Sequence, residues 1–440
     1  MTSRFRVTAF GFAFALLFLV AACSGESNDD GPGAGPTSTP VPVADQRIVY
    51  VSDDYAVFTT TSEGRNRRRV VGAGAGLDGV QARLIAVRSQ EQPRVRYTWP
   101  TWSPDGTRVA VSRAPGADAA AVASLVLIEE GASAEKQLHE TRNGPVPQVA
   151  AGTYHYTYWS PDGEQIGLIA PREGSRALSL FQLSPDEGIS DEVIRHAPLY
   201  VSWAPDSSSL LVHRREQLFI HNASTGETKD LDRPSLAYRV PDFNSDGTEF
   251  AYVADGRLRV RDTDTGEERE VLRVGIEAAF MYSPIDPHLL AVTQRGLRTG
   301  GGYADLDLVD TRQVEATKLF GGGLLAFYWS PDGSKIMLAT GPPVDGLLEW
   351  RITDLETGVI TDLMRFAPSA GFLPHLQFFD QFAPSHQLWS GDSSRFVFSG
   401  HTSSEPGQTS RVWMVDPSGL MPPLEVGRGS MAYWVPPIAD

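Results

Sequence analysis

Five of the nine histidines in this sequence are candidates for holding a metal ion together. They are His155, His213, His375, His386 and His401, and they are spread over most of the chain. Metal sites in proteins usually include a local pair of ligands, such as His-x-His or His-x-x-x-His. Neither spacing occurs, and no glutamate-rich motif accompanies the histidines. We therefore expect no bound metal.

Two short stretches share part of the pattern of a ligand-binding loop. GAGAGLDG at 72–79 has the glycines of a dinucleotide loop, but no strand–loop–helix pattern surrounds it. DTDTGEE at 262–268 begins like a calcium loop, but Arg273 stands where the twelfth-position glutamate would be. We interpret the first as a connecting loop and the second as a β-turn. Gly-x-Ser-x-Gly is also absent, so the sequence predicts no catalytic residues and no cofactor.

A repeated turn indicates which elements would position any functional residues. Trp-Ser-Pro-Asp-Gly occurs three times, and looser copies share its aromatic anchor and the apolar run that follows. The anchor positions are Trp102, Trp159, Trp203, Phe243, Tyr282, Trp329, Trp389 and Trp434.

Each copy of the turn predicts a pair of strands. The anchor should end one strand, proline should fix the first turn position, aspartate should bond back to the turn backbone, and glycine should take a positive φ. A β-rich run such as RVAVS follows, and then usually a second hairpin such as LRVRDTDTGEEREVL. Four strands in every 40–60 residues, with no credible helix between them, predict an all-β fold built from propeller blades.

The pattern aromatic-Ser-Pro-Asp-Gly-x-x-apolar, followed by strand-Asp-x-x-Thr-Gly-Glu, resembles the TolB-type, WD-like β-propeller repeat over residues 48–436. This resemblance implies a scaffold for protein complexes of the bacterial cell envelope. Some propeller lyases with similar repeats hold a metal with histidines at the channel mouth, so a metal-dependent polysaccharide lyase is one alternative. Dipeptidyl peptidases also carry such propellers, but the Gly-x-Ser-x-Gly motif of their hydrolase domain is missing here.

The two ends of the repeat region predict how the fold closes. RIVYVSDD (47–54), AVFTTTSEG (56–64) and RNRRRVV (65–71) resemble the second, third and fourth strands of a blade without its first. GRGSMAYWV (427–435) resembles a first strand without successors. Pairing these ends makes one composite blade and removes the open sheet edges. With seven complete blades this gives an eight-bladed β-propeller, and seven blades is the alternative.

One face of such a propeller should carry the binding residues. The Ser-Pro-Asp-Gly and Thr-Gly turns share one face, the tight-turn face. Connections after second strands and between blades share the other, the elaborated face, which receives long segments such as 72–98, 138–157 and 363–385. Arginine and aromatic residues are enriched in binding hot spots. The candidate binding residues are Arg94, Arg96, Tyr97, Trp99, Arg113, Tyr154, His155, Tyr156, Arg172, His213, Arg214, Arg295, His375, Phe378 and His401, with Phe372 and Phe379 beside them.

The first residues have the features of a lipoprotein precursor. Residues 1–22 join a basic start to an apolar run, which is typical of a secretory signal peptide. The sequence VAAC, ending at Cys23, resembles a bacterial lipobox, which implies cleavage before Cys23 and acylation of this single cysteine. We therefore expect an exported protein, lipid-anchored to the membrane. Its domain would lie on the outer side of the cytoplasmic membrane or in the periplasm.

Composition separates a tether from the folded domain. Residues 23–46 comprise the lipidated cysteine and a linker rich in Pro, Gly, Ser and Thr, which should be disordered. Such a tether reaches roughly 25 Å. Residues 47–436 should form the propeller and 437–440 a short tail. Removal of residues 1–22 leaves 36 basic and 54 acidic residues, a formal charge of −18, which disfavours nucleic acid as a partner.

Together these observations predict a membrane-anchored scaffold rather than an enzyme, with another envelope protein or peptide as its partner. A basic and aromatic rim on an acidic protein also fits a small anionic ligand or glycan in the central funnel, which is a second alternative.

Overall fold

A computed structural model describes most of the repeat region. The described residues are 46–71, 95–115, 122–129, 132, 134–142, 156–171, 177–196, 198–234, 239–275, 277–295, 302–341, 347–402 and 408–437. Several sequence predictions lie outside them, namely those for the signal peptide, Cys23, the linker up to residue 45, Arg94, Tyr154, His155, Arg172 and residues 438–440. In the described part of the chain, no helix is long and apolar enough to span a membrane.

Five separate sheets each contain four antiparallel strands. The first sheet combines both ends of the domain and consists of β1 Arg47–Val51, β2 Val57–Thr61, β3 Arg68–Val71 and β30 Met431–Trp434. The second consists of β4 Val95–Trp102, β5 Arg108–Pro115, β6 Val122–Glu129 and β7 Lys136–Arg142. The third consists of β8 Tyr156–Trp159, β9 Ile166–Pro171, β10 Leu178–Ser184 and β11 Ile189–His196. The fourth consists of β12 Leu199–Trp203, β13 Ser209–Arg214, β14 Gln217–Asn222 and β15 Thr228–Pro234. The fifth consists of β16 Asp242–Phe243, β17 Glu249–Ala254, β18 Arg257–Asp262 and β19 Glu268–Arg273.

The remaining strands form one ten-stranded sheet in chain order. Its strands are β20 Ala278–Tyr282, β21 Leu289–Arg295, β22 Tyr303–Asp310, β23 Glu315–Trp329, β24 Lys335–Thr340, β25 Leu348–Asp354, β26 Ile360–Pro368, β27 Phe396–His401, β28 Arg411–Val415 and β29 Leu424–Arg428. Two short helices lie between β26 and β27: α1 Leu373–Gln377 and α2 Phe379–Phe382. The expectation of no helix between strands is therefore wrong for this segment, because a buried position allows single helical turns that would be unstable alone.

The repeated turn has the predicted geometry. In its first copy, Gly106 has φ 67° and donates its N–H to the Ser103 carbonyl at 2.9 Å. Asp105 accepts a hydrogen bond from the Thr107 N–H at 3.1 Å. Trp102 ends β4, as predicted for an anchor. The turn therefore connects the first and second strands of a repeat and caps the start of the second.

The anchor indoles also join successive repeats. Trp203 donates its Nε1–H to the carbonyl of Tyr158 in the preceding sheet at 3.1 Å. Trp329 donates in the same way to Met281 at 3.2 Å. A buried indole N–H usually finds a partner, and for Trp203 and Trp329 that partner lies in the preceding repeat. Among the described residues, the buried Nε1 atoms of Trp102, Trp389 and Trp434 have no such hydrogen bond.

The predicted pairing of the two chain ends is confirmed. Ile48 lies opposite Trp434 and Val51 lies opposite Met431 in the antiparallel pair of β1 and β30. All four residues of β30 are buried. First strands of neighbouring sheets also contact one another, as β4 contacts β8 and β30. This all-β arrangement of four-stranded antiparallel sheets is consistent with a β-propeller.

Candidate functional site

Residues 369–388, which include α1 and α2, form a buried connection that we call the central segment. Phe372, His375, Leu376 and Phe379 have no exposed surface. The sequence predicted an exposed, elaborated loop here. Instead, its closely spaced aromatic residues bury most of their surface against the surrounding first strands, which provides the main stabilisation expected for such a segment.

Aromatic contacts connect the central segment to several sheets at once. Phe382 stacks on Trp99 of β4 at a centroid distance of 4.6 Å and meets Tyr156 of β8 edge-on at 5.5 Å. His375 stacks on Tyr433 of β30 at 5.5 Å. Phe379, the first residue of α2, packs on the ring of Phe327 in β23 at a centroid distance of 4.8 Å. The space that the first strands surround is therefore occupied on the elaborated side.

A buried ion pair fixes α2. Asp380 is 2% exposed in its side chain and accepts a hydrogen bond from Arg239 at 3.0 Å. Arg239, 11% exposed, also donates to the Tyr303 hydroxyl. Burial alone would lower the pKa of Arg239, but the charge of Asp380 and the neighbouring tyrosines outweigh it, so this pKa lies above its ordinary value. Breaking such a pair leaves an uncompensated buried charge.

The two histidines of the central segment are neutral. His375 donates from Nε2 to the His386 carbonyl at 3.1 Å, so its Nδ1 accepts from the Tyr328 hydroxyl at 3.0 Å. Burial lowers the pKa of His375 to about 3. Burial, together with His375, lowers the pKa of His386 well below its ordinary value. These side chains serve packing and hydrogen bonding in the interior, whereas the sequence predicts His375 on a binding face.

A carboxyl group on β16 interacts electrostatically with the central segment. Asp242 of β16 accepts a hydrogen bond from the Tyr282 N–H at 3.0 Å. Burial raises the pKa of Asp242 to about 7, the Tyr282 N–H opposes this effect, and Asp380 adds to it. Asp242 therefore keeps its proton to a higher pH than an exposed aspartate would.

The outer surface of the central segment carries two large apolar side chains. Leu373 is 38% exposed and Phe378 is 42% exposed, while their neighbours Phe372 and Phe379 are buried. Phe378 is the member of the predicted binding set whose side chain is most clearly offered to solvent in this segment. A large aromatic side chain exposed on a rigidly packed support is a typical binding anchor.

Trp99 adopts a strained backbone beside the central segment. Its φ is 54°, which is rare for a bulky residue. The strain coincides with a β-bulge, since the pairing of β4 with β5 shifts between Thr98 and Thr101. The bulge directs the indole onto Phe382. Such strain persists only where surrounding contacts hold it.

Other predicted binding residues are buried or contact neighbouring side chains. Tyr97 is buried and donates its hydroxyl to Glu135, which also pairs with Arg113 at 3.5 Å. Tyr156 is 2% exposed. The guanidinium of Arg96 lies over the ring of Tyr55 at 5.8 Å.

The remaining predicted residues also contact local partners. His213 is buried, with Nδ1 at 2.8 Å from the Arg239 carbonyl. Arg214 donates to Gln217 within its own hairpin. Arg295 is about half exposed and pairs with Glu277 at 2.5 Å. His401 lies 3.4 Å from the Ser410 hydroxyl. No group of three or more His, Cys, Asp or Glu side chains in the described part of the chain is arranged to hold a metal ion.

A cleft lies between the first sheet and the strands that precede its closure. This closure cleft has a cavity volume of about 610 Å³, which is within the usual range for small-molecule sites. It is lined by Ser52, Asp53, Asp54, Arg67, Glu425, Val426, Gly427 and Arg428.

Charge in the closure cleft is partly neutralised. Asp54 pairs with Arg69 at 3.3 Å, and Glu425 pairs with Arg411. Burial raises the pKa of Asp53, an effect that Arg428 opposes. Arg67 and Arg428 line the cleft together with Asp53, Asp54 and Glu425, so its walls carry charges of both signs.

Three residues of these sites are not among the candidates that the sequence predicts. Arg239 and Asp380 are two of them, although Asp380 interrupts the aromatic run QFFDQF, and a charge in such a run is a signal for a buried partner. Arg428 is the third, because only the tertiary fold brings it close enough to act on the charge of Asp53.

Comparisons with known proteins show the fold. No family model matches the sequence, and no curated protein matches it. Dihydro-heme d1 dehydrogenase NirN, solved in complex with DHE, is 14% identical, with a TM-score of 0.55 and 91% of this chain and 77% of that chain covered. A prolyl endopeptidase is 12% identical, with a TM-score of 0.51 and 77% of this chain covered; this chain spans 50% of that chain. TolB from Acinetobacter baumannii is 16% identical, with a TM-score of 0.39 and 81% of this chain and 85% of that chain covered. The chain is thus structurally similar to proteins with β-propeller domains, and at these identities the similarity concerns the fold alone.

Proposed function

We propose that the sheets form an eight-bladed propeller. The long strand β23 pairs with β22 through its first part and with β24 through its last part, with a glycine stretch between them. It therefore counts as the last strand of one blade and the first of the next. In the last blade, an isolated bridge between Trp389 and Phe396 replaces a full first strand. Three blades from the ten-stranded sheet and five separate sheets make eight, and seven remains the alternative.

We propose that this propeller is a TolB-like, exported and lipid-anchored scaffold that binds another protein of the bacterial cell envelope. The observation that carries the proposal is the exposure of Phe378 and Leu373 on a central segment held by buried contacts. Arg295 lies close enough to influence the pKa of Tyr303, whose ring packs on Phe379. An apolar anchor near an exposed arginine suits a protein loop that carries an apolar side chain and a carboxylate.

Crosslinking and co-purification from native membranes test the scaffold function. Wild type would be compared with Phe378→Ala, and with Ile285→Ala as the control. Ile285 is an apolar residue 63% exposed in a turn of the tight-turn face. We expect one envelope protein to be enriched by wild type and by the control, and lost in Phe378→Ala. Enrichment that is equal in all three, or absent in all three, contradicts this binding site. Tyr156→Ala is unsuitable, because that side chain is buried.

The lipid anchor at Cys23 has its own test. Cys23→Ala should prevent acylation and signal cleavage at this position, and cell fractionation with metabolic fatty-acid labelling would show it. Wild type should carry the label and remain with the membranes. A wild-type protein that is exported without label would remove the lipid anchor from the proposal.

Binding of a small anionic ligand is the second candidate function, and the closure cleft favours it over the central funnel. Two arginines could hold a carboxylate or phosphate while Asp53 accepts from a hydroxyl. Titration with inorganic phosphate and with glucuronate, followed by thermal unfolding, tests it. We expect a rise in Tm that Arg428→Ala abolishes and that Arg273→Ala, at a remote and exposed site, preserves. No rise with either probe, or a rise that survives Arg428→Ala, contradicts the cleft.

A metal-dependent lyase is the third candidate. It predicts that a chelator lowers the Tm of purified protein and that a divalent metal restores it. A Tm unchanged by chelator favours the non-enzymatic scaffold that we propose.

A further inference from the structure

Exposed apolar side chains are distributed unevenly over the tight-turn face. The turns between third and fourth strands are polar in three successive sheets, where they read PDEG, ASTGE and TDTGE. In the hairpins β25–β26 and β28–β29, the same position carries large apolar residues. These are Val359 (57% exposed), Ile360 (39%), Leu420 (87%), Met421 (55%) and Leu424 (46%), which we call the apolar turn patch.

The two hairpins of the apolar turn patch touch each other. Gly419, next to Leu420, lies against the side chains of Leu363 and Thr361 in β26. The next turn back along the chain adds Val314, which is 48% exposed. Leu420, at the tip of its hairpin, has almost no contact with the rest of the domain. Soluble surfaces rarely cluster such residues without a contacting partner.

The start of the folded domain lies next to this patch. The Gln46 side chain hydrogen-bonds to Asp392 in the turn after Trp389. Arg395 of the same turn lies 3.6 Å from the Met421 sulfur and pairs with Asp416 at 3.6 Å. One turn therefore separates the point where the tether begins from the apolar turn patch.

We propose that the apolar turn patch rests on the lipid bilayer to which the chain is tied, with Leu420 and Met421 in the interfacial layer. The inference depends on the proposed acylation of Cys23. A tether that reaches roughly 25 Å keeps the patch within reach of the membrane at high effective concentration, so a small apolar contact suffices. The tight-turn face then faces the lipid and the elaborated face, with Phe378, points away toward its partner.

A single-thiol experiment tests this orientation. Cys23 is the only cysteine and is blocked once acylated, so an introduced cysteine is the only free thiol. Acylated mature protein carrying Leu420→Cys or Phe378→Cys, labelled with bimane, would be reconstituted in vesicles of phosphatidylethanolamine and phosphatidylglycerol that contain nitroxide-labelled lipid. We expect blue-shifted and strongly quenched emission at position 420, and several-fold weaker quenching at position 378.

A second labelling position, Val359, leaves Leu420 in place and so avoids any effect of a dye attached at position 420. Val359→Cys should also be quenched, and adding Leu420→Glu should reduce that quenching several-fold without changing the Tm. Equal quenching at positions 420 and 378, or no effect of Leu420→Glu, overturns the orientation. If the protein fails to float with the vesicles, the proposed acylation of Cys23 is wrong, and the orientation that depends on it is overturned as well. If position 420 is unquenched in vesicles but crosslinks to a protein in native membranes, the patch is a protein-docking surface and the lipid assignment is overturned.

Discussion

Replacing Phe379 with alanine should destabilise the domain, while the same change at its neighbour Phe378 should not. Phe379 has no exposed surface and packs on the rings of Phe327 at 4.8 Å, Tyr303 at 5.9 Å and Tyr328 at 6.2 Å. Phe378 is 42% exposed. Since the two residues are identical and adjacent, Phe378→Ala is a matched control.

The magnitude follows from burial and from how well the site can relax. Truncation of a fully buried phenylalanine costs about 3–5 kcal/mol, and the cost rises when the surroundings cannot collapse into the gap. The partners of Phe379 lie on two paired strands, β22 and β23, whose ladder resists such movement. We therefore expect a loss of about 4 kcal/mol for Phe379→Ala. For the exposed Phe378→Ala we expect less than about 1 kcal/mol.

Urea unfolding followed by tryptophan fluorescence measures both losses. Six of the nine tryptophans are anchors, spread over six repeats, so the signal reports the whole domain. The midpoint should fall for Phe379→Ala while the slope m stays constant, because m reflects the surface exposed on unfolding.

Two results would refute the reasoning. If both variants lose equal stability, the difference in burial between Phe378 and Phe379 is refuted. If Phe379→Ala keeps the wild-type midpoint, the space among the first strands is open, and the funnel again becomes the leading place for a ligand.

Three further predictions concern the buried charges and the closure. Arg239→Met should cost about 3–5 kcal/mol by thermal unfolding, because Asp380 loses its partner, and adding Asp380→Leu should recover most of it. His375, with a pKa lowered to about 3 from 6.5, makes folding weaker as pH falls below 6.5, by at most about 1.4 kcal/mol per unit. Asp242, with a pKa raised to about 7, acts in the opposite direction. The stability advantage of wild type over His375→Gln should therefore shrink between pH 6.5 and 3, and a constant difference would contradict the assignment. Deletion of residues 427–440 should abolish cooperative unfolding, and a truncated protein that melts at the wild-type temperature would exclude the closure.

Local chemistry made the strand repeat predictable. The turn at Trp102 follows from residue types alone, since proline, aspartate and glycine each have one favoured role there. The pairing of β1 with β30 was also predictable, because both segments are apolar strands without partners and an open edge is unfavourable.

The central segment was not predictable in the same way. Its aromatic residues, such as Phe379 and Phe382, are the types expected either in a core or on a binding surface. Only the three-dimensional arrangement of the first strands decides between them. The short run around Pro374 is also too brief to show a helical period. The candidate binding residues therefore differ in burial in a way that the sequence does not show: Phe378 is exposed and His375 is buried.

The pairing of Ile48 with Trp434 also sets the order of events during folding. The first strand to be synthesised must wait, unpaired along one edge, until the last strand emerges. Such distant contacts form slowly, and an unpaired edge invites association with other chains. Because β30 is the last of the described strands, the first sheet can be completed only after all the other strands have been synthesised.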